Sequence, residues 1–151
     1  MLFPYYSQEA VDGQKTQTRR PVQPGDVART DESDANRIVQ VARTRDHGVP
    51  QVLFEVGKSY SVQPGVAKKT VGKIRVTAIR RERLQEISQA DVRQEVPVAA
   101  LPVERSDAQG ALKTFQETWN SMYKNPGQRW EDNPEVWVIE FESAFKQYLN
   151  K

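Results

Sequence analysis

Apolar positions along this chain follow two different periods, and each change of period marks an element. From Ala108 to Lys124, the residues Ala111, Leu112, Phe115, Trp119, Met122 and Tyr123 recur at the ~3.6-residue spacing of one helix face. This is the clearest helix in the sequence, and Asn125-Pro126-Gly127 stops it. From Gly72 to Arg80 the pattern alternates instead. Ile74, Val76 and Ala78 point one way and Arg75 and Thr77 the other, which predicts a half-buried strand with a basic outer face. Val136 to Phe141 is apolar on both faces except at Glu140 and predicts a central strand.

Weaker signals fill the remainder. Leu2 to Tyr6 is short and aromatic, and Pro4 argues against a central strand there. Ser7 is placed to cap a short helix through Gln8-Glu9-Ala10-Val11, with Gly13 ending it. Lys15 to Arg20 reads as extended, because Thr16 and Thr18 favour strands and Pro21 disfavours helix at Arg20. Pro24-Gly25 is a turn signal. Residues 29–50 are polar, with strand character only at Ile38-Val39-Gln40-Val41-Ala42; they read as a hairpin or a long surface loop and as the most mobile part of the chain. Short strands are expected at 52–54 and 58–63, separated by Gly57, with Pro64-Gly65 ending the second. Ser88-Gln89-Ala90-Asp91 fits a capping box for a short helix reaching about Glu95. Val96 to Arg105 holds two prolines and reads as loop, and Ala144 to Leu149 as a last helical turn. Five to seven short strands and two or three helices, without strict βαβ alternation, favour an α+β fold with a small mixed or barrel-like sheet.

Composition narrows the chemistry. At 151 residues, 37% hydrophobic and 28% charged, the chain suits one domain (1–151) with a modest core. It has no apolar run long enough for a transmembrane helix and no visible signal peptide, so a cytoplasmic location is expected. Cysteine is absent, which removes disulfides, thiolate metal sites and cysteine nucleophiles together. His47 is the one histidine, in the polar stretch Arg45-Asp46-His47-Gly48. A zinc site of two or three histidines is therefore excluded within one chain. Catalysis must run on Lys, Arg, Asp, Glu, Tyr, Ser or Thr.

The net charge of +2 is mild, but it is unevenly spread. Residues 66–83 carry seven cations (Lys68, Lys69, Lys73, Arg75, Arg80, Arg81, Arg83) against Glu82 alone. Such a face either meets phosphate or is simply solvated. Acids gather at Asp31, Glu32 and Asp34 and at Glu131, Asp132 and Glu135, without a spacing specific for a cation, and no metal or cofactor is expected. Trp119 and Trp137 read as core rather than as stacking platforms; Tyr60 suits either a cleft wall or the sheet interior.

Three segments together resemble a known family. Gly13-Gln14-Lys15-Thr16-Gln17-Thr18-Arg19-Arg20-Pro21 looks like the G-x-K-T-x-T-R-R signature of ASCH domains. Gly57 to Gly65 is similar to that family's second strand pair, and Trp137-Val138-Ile139-Glu140-Phe141-Glu142 resembles its closing strand. The resemblance covers most of the chain, with residues 29–50 as an insertion. It implies a PUA-like fold, a small mixed β-barrel flanked by two or three helices, with a cleft beside the first helix-to-strand turn. ASCH domains are associated with RNA binding or RNA metabolism, and a branch of small bacterial members hydrolyses the acyl amide of N4-acetylcytidine and related nucleosides. Carried over by motif, that branch's Lys, Thr and Glu fall on Lys15, Thr18 and Glu95, and a family arginine beside the site falls on Arg20. Arg19, Arg20, Tyr60, Gln63 and Arg75 are the candidate substrate contacts. The chain departs from the compact hydrolases mainly at 29–50 and 96–110, which bears on substrate choice.

The implied chemistry is self-consistent. A lysine acts as base only when neutral, so its reference pKa of ~10.4 must fall by about three units. Burial would do this, helped by repulsion from Arg19 or Arg20. Thr18 would attack the acyl carbon, Glu95 would protonate the cytosine N4, and backbone N–H groups would hold the oxyanion. One geometric condition follows. Residues three apart on a straight strand face opposite ways, so Lys15 and Thr18 meet only if the chain bends between them.

Two other readings remain open at this stage. One is a non-catalytic RNA-binding module using Lys15, Arg19, Arg20, Lys73 and Arg75. The other is a ribonuclease, which would need a metal or an unusual base. An enclosed cleft burying Lys15 favours the hydrolase, an open basic groove through Arg75 and Arg80 favours RNA binding, and a carboxylate cluster favours the nuclease. The expected ligand is a modified nucleoside or RNA, with no membrane contact, no obligate protein partner, and a monomer or weak dimer.

Overall fold

A computed structural model describes residues 1–46 and 48–144. His47 and the segment expected to form a last helical turn, apart from Ala144, lie outside the described residues. In chain order the elements are α1 (Ser7–Asp12), β1 (Gln17–Pro21), β2 (Asp26–Asp31), β3 (Asp34–Arg43), β4 (Gln51–Glu55), β5 (Ser59–Val62), β6 (Gly72–Arg83), α2 (Gln89–Glu95), α3 (Ala108–Met122) and β7 (Glu135–Ser143). Short 3₁₀ turns fill parts of the 96–105 linker.

The strands form a seven-stranded sheet with the path β1-β7-β6-β3-β2; β4 adds to β3 and β5 to β6. The expected α+β class is the one adopted. The named strands pair antiparallel throughout, and the parallel contact is an isolated bridge between Leu2 and Gln63, so the sheet is antiparallel rather than mixed. The apolar β7 lies between β1 and β6, as its two-faced pattern requires.

Each face of this centre buries a different cluster. On one side, Val136 and Val138 of β7 pack with Leu84, Val92 and Val96 and with Ala111, Phe115 and Trp119 of α3. The 3.6 period of α3 supplies this face, and the Trp119 indole N–H donates to the Gln128 carbonyl at 2.7 Å. On the other side, Trp137 and Ile139 pack with Val41, Phe54, Val76 and Ile79. Both tryptophans are therefore core. A third cluster seats α1 on the sheet through Phe3, Ala10, Val11, Val62, Ile74 and Phe141. Gly72 permits that approach, since a Cβ there would lie 2.5 Å from Val11 Cγ1.

Several local expectations need correction. Ser7 does not cap α1. Tyr6 holds the N-cap position in the left-handed region (φ 61°), without a side-chain cap, and Ser7 is the first helical residue. In β6 the alternation breaks at a bulge between Val76 and Ala78, so Ile79, not Ala78, is buried next. The extra residue reverses the parity of everything after it. Residues 29–50 take the hairpin alternative, as β2 and a ten-residue β3. Ser88 behaves as expected, its hydroxyl accepting from the Asp91 N–H at 3.1 Å.

Candidate functional site

The path from α1 into β1 sets the site. Gly13 closes α1 in the left-handed conformation (φ 85°), where a residue without a Cβ is unstrained. The N–H groups of Gln14 and Lys15 both return to the Glu9 carbonyl, at 2.9 and 3.0 Å. Thr16 then donates its N–H to Gln94 of α2 at 3.0 Å and accepts from Phe141 of β7 at 2.9 Å. β1 begins only at Gln17. Lys15 thus stands off the strand, and the bend that the chemistry demanded is present.

Lys15 is 5% exposed and its ammonium is held at the end of α2. Nζ donates to the Glu95 carbonyl oxygen and to Glu95 Oε1, both at 2.9 Å. The carbonyl belongs to the last turn of α2, whose carbonyls have no helical partner. Glu95 is equally buried, and its second oxygen accepts from Arg19 Nη1 at 3.1 Å. Burial pushes the Lys15 pKa down from its usual value. Glu95 opposes the shift, while Arg20 and Arg19 deepen it.

Arg19 is the hub behind this pair. Its side chain is fully enclosed and donates to Gln17 at 3.0 Å, Glu82 at 3.2 Å and Asp91 at 3.2 Å, besides Glu95. Sheet register explains the cluster: Arg19 pairs with Val138, which pairs with Arg80, so one row crosses β1, β7 and β6. Arg80 extends the network outward to Glu82, Asp91 and Glu140. Arg80 is therefore committed to carboxylates and does not open a basic groove. One atom of the hub is left over: Arg19 Nε–H is buried without a partner.

Lys15, Thr18, Glu95, Arg19 and Arg20 all line one cavity of about 40 Å³. That is room for roughly two or three waters. Phe3 to Tyr6, Thr118 and Met122 of α3, and Tyr123 just beyond its end also line it. A second cavity of about 360 Å³ shares Arg20 and Tyr123 with the first and is lined further by Arg43, Leu53, Phe54 and Tyr60. Tyr60 lies in this second space, its hydroxyl accepting the Glu55 N–H at 2.8 Å. Gln63 and Arg75 line neither cavity. The Gln63 amide donates to the Lys68 carbonyl at 3.2 Å, and Arg75 sits on β6 opposite Ser59 and Glu142.

Tyr123 was missed as a wall residue, although it closes the apolar period of α3; Gln17, Glu82 and Asp91 were missed as partners of Arg19. Among the described residues, no three acidic or histidine side chains gather in a way that could hold a metal ion. No described helix is long and apolar enough to cross a membrane.

Neither a family model nor a curated protein matches the sequence. Solved structures do match. A crystal structure of an Enterococcus faecalis protein of the DUF984 family model aligns over 90% of this chain and 67% of its own, with a TM-score of 0.52 and 11% identity. An ASCH domain from Lactobacillus crispatus aligns over 90% of this chain and 68% of its own, with a TM-score of 0.48 and 11% identity. The likeness to the Enterococcus protein shows a shared α+β fold.

Proposed function

We propose that the protein is an amidohydrolase that cleaves the acyl amide of N4-acylated cytosine nucleosides, with Thr18 as nucleophile, Lys15 as base and Glu95 as proton donor. The observation that carries this reading is the buried Lys15–Glu95 pair, lining one small cavity together with Thr18. Here burial lowers the proton affinity of Lys15, as a base requires.

A proton shift across the 2.9 Å Nζ–Oε1 contact leaves a neutral amine beside a carboxylic acid. Lys15 then accepts the Thr18 hydroxyl proton as Oγ bonds to the acyl carbon. Glu95 gives its proton to N4 as the C–N bond breaks, and cytidine leaves. Return of the proton from Lys15 to Glu95 resets the pair. Water next attacks the Thr18 ester, giving a proton to Lys15, while Glu95 protonates the departing Oγ. Amide and water thus become amine and carboxylic acid, with both residues restored by one more proton shift.

The cavity is small for a whole nucleoside, which bears on the substrate's pose. The acyl amide occupies the inner space, and the sugar passes Arg20 and Tyr123 toward the larger one. The test is ultraviolet-monitored release of cytidine from N4-acetylcytidine by wild type, Lys15→Ala and Thr18→Ala. Turnover by wild type and loss of roughly 10²-fold or more in each folded variant is expected. Absence of turnover by folded wild type overturns the reading and leaves a binding module in its place.

A further inference from the structure

The second cavity carries chemistry that the acyl-transfer site does not use. Arg20 stands in the wall common to both cavities. Its guanidinium donates to the Leu2 carbonyl at 2.5 Å and lies over the Phe3 ring, 5.4 Å from its centroid. Among the described residues no carboxylate comes within ion-pair distance of it. A half-buried cation held by a carbonyl, a π-face and the neutral Tyr123 hydroxyl, with no carboxylate, retains its attraction for an anion. Its field is felt nearby: burial raises the Tyr123 pKa, Arg20 draws it back down, and Arg20 also adds to the lowering at Lys15.

The larger cavity otherwise suits a sugar phosphate. Its floor and sides hold Leu53, Phe54 and Tyr60, surfaces for an apolar ring face. Arg43 stands there too, fixed by Asp26 through contacts of 2.6 and 3.2 Å. Asp26 is itself enclosed and takes the Trp137 indole N–H at 2.9 Å, so Arg43 cannot swing freely. One cation is thus locked by a carboxylate, and one stands without a carboxylate partner in the wall that the two cavities share.

The geometry points to a phosphate-binding subsite at Arg20 in the second cavity, so that the preferred substrate is an N4-acylated cytosine nucleotide rather than the free nucleoside. This rests on the proposed hydrolase, because the acyl amide at Lys15 and Thr18 is what directs the sugar toward Arg20. The phosphate is either a terminal monoester or the phosphodiester of an RNA chain.

Kinetics on three substrates test it: N4-acetylcytidine, its 5′-monophosphate, and a short oligoribonucleotide with one internal N4-acetylcytidine. Wild-type kcat/KM should be roughly tenfold or more higher for a phosphate-bearing substrate, and that ratio should fall toward one in Arg20→Gln. A larger value for the monophosphate assigns a terminal phosphate, and a larger value for the oligonucleotide assigns a phosphodiester; either supports the subsite. Equal values for all three in wild type overturn it. If none is turned over, the hydrolase reading fails, and binding still decides the subsite. Cytidine 5′-monophosphate binding tighter than cytidine, with the advantage lost in Arg20→Gln, supports it, and equal affinities overturn it.

Discussion

Arg19 and Arg20 are neighbours on one strand, yet they live in opposite electrostatic worlds. Alternation along β1 sends them to different faces. Arg19 turns toward α2 and meets Glu82, Asp91 and Glu95. Arg20 turns toward the Leu2–Phe3 segment and meets a carbonyl and a ring. A buried guanidinium costs desolvation that only partners can offset, so Arg19 belongs to the scaffold that fixes Glu95. Arg20 keeps its charge available, which suits a ligand contact. On the proposed reading, identical side chains one residue apart divide into a positioning role and a binding role, and the division is testable by substitution.

The largest effect is expected at Arg19. Arg19→Met strands three carboxylates around an apolar chain, and denaturant unfolding should show a loss of about 3–5 kcal/mol. Arg19→Lys should recover only part of it, because an ammonium cannot reproduce the four directed bonds. Arg20→Gln should cost about 1 kcal/mol in the same experiment, its losses being one carbonyl bond, one cation–π contact and the contact with the Tyr123 hydroxyl. If the two arginines destabilise equally, the division of roles is wrong.

Proton linkage sharpens the contrast further. The Lys15 pKa is lowered in the fold, so the unfolded chain binds more protons between that value and the ordinary 10.5. Stability contributed by this residue therefore rises with pH through that window and is flat below it. The slope should vanish in Lys15→Met. Asp26 gives a slope of the same sign in the acid range. Burial alone would raise its carboxyl, but bonds from Arg43, the Gln23 N–H and Trp137 outweigh that and hold it below 3.8. Its stabilisation is present above 3.8 and is lost as pH falls through the folded value, measurable as an acid-side loss absent from Asp26→Asn. The smallest effect is expected at the surface, where Arg37 pairs with Asp31 at 3.7 Å in the open. Arg37→Ala should leave the melting temperature unchanged within measurement scatter.

Much of the site was legible because its signals are local. Gly13, the β-branched Thr16 and Thr18, and Pro21 mark a helix end followed by a strand, and that junction is what brings Lys15 and Thr18 to one cavity. Ser88 announced α2 and so placed Glu95 at its end. The Arg19 network was not legible, since its partners lie 63, 72 and 76 residues away and become neighbours only through sheet register. The β6 bulge hid the true inward residue, because parity is read from a sequence that does not mark the inserted position. β3 was seen only in part, since Asp34 to Arg37 are exposed and carry no apolar alternation. Tyr60 and Gln63 fall in a motif segment and Arg75 on the basic strand face, but β5 and the start of β6 lie away from the Lys15 cavity. Of the three, only Tyr60 reaches the adjoining space.

The central claim is that Thr18, served by the buried Lys15–Glu95 pair, attacks an acyl carbon. Acetate release from N4-acetylcytidine 5′-monophosphate by wild type, Thr18→Ser and Thr18→Ala tests it most directly. The account predicts turnover by wild type, retained turnover by the serine variant with its hydroxyl, and none above background by a folded alanine variant. An alanine variant as active as wild type would contradict it.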